Sequence, residues 1–119
     1  MHSIWKAAAL VAIALPLATS AQGASSIAHG RTKAIAYCSA CHKVTDTQAQ
    51  PPQVYDREAD DHIQAPSFAT IAAKYANNEA GLRAFVHLPQ YPMPAQELSP
   101  TDLADLSAYI FSLRTPKKP

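Results

Sequence analysis

Four stretches of the chain repeat apolar side chains at helical spacing, separated by proline-rich or polar segments. The first runs roughly from Ser26 to Cys41, with Ile27, Ala34, Cys38 and Cys41 on one face. The second begins after Pro66, where Phe68, Ile71, Ala72 and Tyr75 fall at i, i+3, i+4 and i+7, and Asn77 and Asn78 supply a break and a cap. A short third helix from Glu79 to Leu88 presents Leu82, Phe85 and Val86 and ends at Pro89. The fourth is the best specified. Ser99 is placed to cap it, Pro100 suits the first turn, and Asp102 sits three residues after the cap. Leu103, Leu106, Ile110 and Leu113 form its apolar stripe, Tyr109 widens it, and Pro116 stops it. The pattern predicts an all-α domain.

Two connections escape this periodicity. Val44–Ala65 carries Pro51-Pro52 and then Asp56, Glu58, Asp60 and Asp61, and is long for a connection in a small domain. A functional loop, a partly disordered one or one holding a short helix fits it. Tyr91-Pro92-Met93-Pro94 brackets a methionine with prolines, which keeps that segment extended and outside any helix.

The N-terminal pattern is of another kind. Lys6 precedes an apolar run, Ala7–Ala18, broken by Pro16 and followed by the small residues Thr19-Ser20-Ala21. This reads as a signal peptide over residues 1–21, leaving a domain over 22–119 in an exported compartment, the bacterial periplasm. The run falls short of the roughly 20 residues that span a bilayer, so a retained anchor is the weaker reading and no stable membrane span is expected after cleavage.

Composition changes the picture in two ways. The 119 residues are 48 % apolar, but the removable segment inflates that figure, and 17 of the apolar residues after position 21 are alanine. The remaining core is thin for one domain, as if something besides side chains fills it. The charge is +1 overall, and removing Lys6 leaves nine basic against nine acidic residues. A neutral chain argues against a nucleic-acid partner. Two cysteines exclude a disulfide-dense scaffold.

Those two cysteines carry the chemistry. Cys38-Ser39-Ala40-Cys41-His42 is C-x-x-C-H, the attachment signature of c-type haem. Two thiols three residues apart on a helix can each bind one vinyl group of a porphyrin edge, and the next residue, His42, is then aimed at the iron. A thioredoxin-like pair would need a βαβ pattern, which the chain lacks. A structural zinc site would need four ligands where the motif offers three. A plain disulfide needs no adjacent histidine. For the other side of the iron the candidates are His29, His62, His87 and Met93. Met93 is preferred, as the one methionine left after residue 21 and the one in a proline-held loop rather than on a helix face.

With these residues in place the chain resembles the class I mono-haem cytochromes c in their small bacterial form. The resemblance rests on Gly30 to His42, on Ala65-Pro66-Ser67-Phe68 with Ala72-Ala73-Lys74-Tyr75, on Met93-Pro94, and on Leu98-Ser99 through Leu113. It implies one covalent haem c enclosed by short helices and loops, with the first and last helices crossing through Gly30 and Tyr109. It implies thioethers at Cys38 and Cys41, His42 as the proximal iron ligand and Met93 as the distal one. Pro66 resembles the family proline whose carbonyl accepts the proximal imidazole N–H. Ala34 stands where the family often has an aromatic residue, and the segment from His42 to Pro66 is longer than in compact members.

The expected function is a periplasmic electron carrier, not an enzyme, passing one electron at a time between redox partner proteins by weak, partly apolar docking. One alternative is a haem subunit of a periplasmic dehydrogenase, with Asp56–Asp61 as a docking element. The other is a gas-binding or peroxidatic haem protein in which Met93 does not ligate.

Overall fold

The first and last helices cross at a glycine. A computed structural model describes residues 9–16 and 25–114. Its elements are helix α1 (Ile27–Tyr37), strands β1 (Val54–Asp56) and β2 (Asp61–Ile63), and helices α2 (Phe68–Lys74), α3 (Glu79–His87) and α4 (Pro100–Ser112). Helix α1 packs most extensively against α4, and α2 and α3 pack against α4 as well. A Cβ built on Gly30 would lie 1.9 Å from the Asp105 carbonyl oxygen and 2.9 Å from Tyr109 Cβ. The two backbones therefore approach as closely as glycine alone permits.

The helices begin where the capping residues dictate. Ser26, Ser67 and Ser99 each accept a backbone N–H three residues on, and Asn78 does the same for α3. Pro100 sits in the first turn of α4. Fully or nearly buried core residues are Ala34 from α1, Phe68 and Ala72 from α2, Leu82 and Val86 from α3, and Leu106, Tyr109 and Ile110 from α4. Val44 joins them from the loop after the haem motif, and the Tyr109 hydroxyl donates to its carbonyl.

Four sequence expectations change. The segment Tyr91–Pro94, expected extended, begins in a turn whose Met93 N–H donates to the Gln90 carbonyl at 3.1 Å. Helix α1 stops at Tyr37, so Cys38 is its C-cap and the motif lies on the turn beyond it rather than on the helix. Ile27, expected on the buried face, is about half exposed; Gly30 and Ala34 are the buried residues of α1. The 44–65 segment holds no helix but an antiparallel hairpin, pairing Val54 with Ile63, Tyr55 with His62 and Asp56 with Asp61. The fold is thus four helices with one small strand pair.

Of the signal segment expected over 1–21, only 9–16 are described. There the chain has no helix or strand, and Leu10, Val11, Ile13 and Leu15 are exposed. The cleavage site and the stop at Pro116 lie outside the described residues. Among the described residues no helix is long and apolar enough to cross a membrane.

Candidate functional site

The CxxCH turn is built by backbone geometry and locked by one side chain. After the last turn of α1, the N–H groups of Cys41 and His42 both donate to the Cys38 carbonyl, at 3.2 and 2.9 Å. This wraps the motif into a single turn with both cysteines half-buried and not joined to each other. Gln48 then clamps it. Its Nε2 donates to the carbonyls of Ser39 and His42 at 2.9 and 3.1 Å, while its Oε1 accepts the Val44 N–H at 2.8 Å. Nothing in the spacing pattern singles out Gln48, because a lone glutamine in an aperiodic loop carries no signal until the loop is folded back.

His42 is fixed on two sides. Its Nδ1 lies 2.6 Å from the Pro66 carbonyl oxygen, so Nδ1–H donates there and Nε2 is left as the ring's free ligating atom. The Phe68 ring packs against the imidazole at 5.6 Å between centroids, tilted by 55°, and against the Tyr109 ring at 6.4 Å. The Phe68 N–H donates to the Lys43 carbonyl at 3.0 Å, which fastens the start of α2 to the residue after His42. Cap, aromatic contact and hydrogen bond together hold the ring in one orientation.

Cys38, Cys41 and His42 form one wall of a cavity of about 410 Å³. Helix α2 adds Phe68 and Ile71, α3 adds Leu82, Phe85 and Val86, and α4 adds Leu106 and Ile110. The segment Tyr91–Pro94 lines it too, so Met93 shares a cavity with His42. Pro66 also lines it. Of the four candidates for a second iron ligand, Met93 alone does so. His62 and His87 are exposed, and His29 is engaged with Asp105 of α4. Burial, and after it the neighbouring Cys41, push the Cys38 thiol up to about 11. That is the opposite of the low-pKa thiolate which a redox C-x-x-C pair needs.

The donor set fits a covalent haem. Two free thiols, an imidazole with one nitrogen free and a thioether surround an apolar space of ligand size in the middle of the helices. Residues 27–114 match the family model of cytochrome c. The chain belongs to the cytochrome c family. It is similar to cytochrome c-552 of Bradyrhizobium diazoefficiens, with 35 % identity over 106 residues that cover 86 % of this chain and 92 % of that protein. No solved structure matches the chain. As a class I c-type cytochrome it carries covalent haem c and is a haem-c electron carrier.

The acidic stretch near the site is partly consumed by its own turn. Asp56 accepts the N–H groups of Glu58 and Ala59, and Asp60 accepts the Tyr55 hydroxyl. Asp61 accepts the His62 N–H at 2.7 Å, so three of its four carboxylates bond within the hairpin.

Proposed function

We propose that this cytochrome is an exported, periplasmic carrier that transfers single electrons by an outer-sphere route. In this reading Cys38 and Cys41 hold the haem through thioethers, His42 is the proximal iron ligand and Met93 the distal one. The observation that carries it is the placement of His42 and Met93 on one apolar cavity, with His42 Nδ1 bonded to the Pro66 carbonyl. When bound, the haem supplies a one-electron iron couple whose potential a His/Met ligand pair raises above that of a bis-His pair.

The chain's own residues do the rest. The Pro66 carbonyl sets the tautomer and orientation of His42 and makes it a better donor. Leu82, Val86, Leu106 and Ile110 keep water away from the cavity's inner walls, which tunes the potential through the local dielectric. At the mouth, Tyr37, Ile63 and Tyr91 line the cavity and are also exposed to solvent. With a neutral exported chain, this supports weak apolar docking of a redox partner over long-range charge steering. The export reading itself rests on the Lys6, Ala7–Ala18 and Thr19-Ser20-Ala21 pattern.

The visible spectrum of the oxidised holoprotein tests the ligand assignment. A weak absorption near the red edge reports iron–thioether bonding; it is expected in the wild type and absent in Met93→Ala, which should also bind carbon monoxide once reduced. A wild type that binds carbon monoxide readily, with a spectrum that Met93→Ala leaves unchanged, overturns the reading in favour of an open-site haem protein.

A further inference from the structure

The hairpin between His42 and Pro66 contributes Ile63 to the cavity mouth, and its turn reaches across to the loop that carries Met93. On one face of the hairpin the paired residues Val54 and Ile63 line the cavity. At its turn, Arg57 Nε–H donates to the Tyr91 hydroxyl at 3.0 Å, and the guanidinium lies over the Tyr91 ring, 5.0 Å from the centroid. Tyr91 stands two residues before Met93.

The loop has few attachments of its own. Between α3 and α4 its internal backbone bond is Met93 N–H to the Gln90 carbonyl, at 3.1 Å. Among the described residues, the Arg57 contact is the side-chain hydrogen bond that reaches this loop from elsewhere in the chain. The turn presenting Arg57, by contrast, is built in advance. Asp56 Oδ1 accepts from the N–H groups of Glu58 and Ala59 at 2.8 and 3.2 Å, and Asp60 occupies the left-handed region at φ 51°. A fixed turn removes the backbone share of the ordering cost, which leaves the rotamers of Arg57 as the freedom lost when it engages Tyr91.

We propose that Arg57 is a positioning residue for Met93: the hairpin is a strap, latched through Arg57 and Tyr91, that holds the Met93 loop against the cavity. The inference rests on the reading of Met93 as the distal ligand. An exposed cation–π contact, lost on truncation, changes a loop-opening equilibrium by about two- to fivefold.

Cyanide binding to the oxidised holoprotein, followed by stopped-flow absorbance, reads that opening, because the incoming ligand waits for the loop to release the iron. The wild type should bind slowly and Met93→Ala fast. Arg57→Ala should bind about two- to fivefold faster than wild type, by the same contact energy. Arg57→Lys, which keeps a cation near the ring and loses the Nε–H, should fall between them. Tyr55→Phe removes a hydrogen bond within the hairpin while sparing the latch, and should stay at the wild-type rate. An Arg57→Ala rate equal to wild type overturns the strap and leaves the ligand assignment standing. A Tyr55→Phe effect as large as that of Arg57→Ala assigns the change to hairpin stability and overturns the role of Arg57. A wild type as fast as Met93→Ala overturns the ligand assignment, and the strap with it.

Discussion

Gly30 shows how much one side chain can decide in this molecule. Helix propensity alone favours alanine in a helix interior by about 1 kcal/mol. At this position, however, the added Cβ meets the backbone carbonyl of Asp105 at 1.9 Å, and a backbone atom cannot turn aside as a side-chain tip can. Forcing two packed helices apart costs about 3 kcal/mol. The clash wins, and Gly30→Ala should lower the stability of the holoprotein by about 2 kcal/mol in denaturant unfolding. Stability equal to or above wild type would show that the helix crossing can slide to admit a methyl group. Gln48 makes the complementary point. It binds two carbonyls and one N–H around the haem motif, yet its role is set by the fold of the loop and by nothing in its sequence context.

Among the elements, α1 and α4 are joined by charge as well as by close approach. Asp105, buried on α4, accepts His29 Nδ1–H at 2.6 Å and the Ser26 N–H at 2.7 Å, so it ties both the first turn and the cap of α1. The His29 bond first, and the Ser26 N–H second, hold its carboxyl below the usual carboxylate range, against the opposing effect of burial. Nearby, Lys33 Nζ lies 3.5 Å from Asp102. A carboxylate whose folded pKa is depressed adds stability above its unfolded value of about 3.9, and that stability is lost as pH falls through the folded value. Asp105→Asn should therefore melt below wild type at neutral pH, and the gap should close in acid below about pH 4. A gap that persists undiminished in acid would assign the effect to packing instead.

The capped helices were the legible elements. Ser99-Pro100 and the Leu103–Leu106–Ile110 spacing declare α4 directly, and Asn78 and Pro89 bound α3 to within a residue. The hairpin was not legible, for a physical reason. Each strand has three residues, too few to show a period of two, and its turn is a run of charge that reads as solvated loop. Such a pair is marginal alone. It is stabilised by Val54 and Ile63 at the cavity wall and by the turn's own carboxylates, neither of which spacing can reveal. The spacing places the end of α1 four residues late for a related reason. The apolar spacing runs on through Cys38 and Cys41, but there it follows the motif's own turn and not the helix.

At the scale of the whole molecule, the thin core and the cavity are two views of one fact. An apolar space of about 410 Å³ lies among α2, α3, α4 and the Met93 loop, at the site where two thiols and an imidazole converge. Cys38, Cys41 and His42 were legible because C-x-x-C-H is a local motif, readable without the fold. The preference for Met93 over His29, His62 and His87 came from its proline-held context, while the partnership of Pro66 with His42 entered only by family resemblance. The fold brings Met93, Pro66 and the motif to one cavity across more than fifty positions of sequence.

The proposal that His42 and Met93 are the two iron ligands bears most directly on the reduction potential, which both of them set. The most direct test is a spectroelectrochemical titration of the holoprotein and of Met93→His. The wild type should titrate as a single one-electron couple, and replacing the thioether by a second imidazole should lower its midpoint markedly. An unchanged midpoint would place Met93 away from the iron and contradict the account.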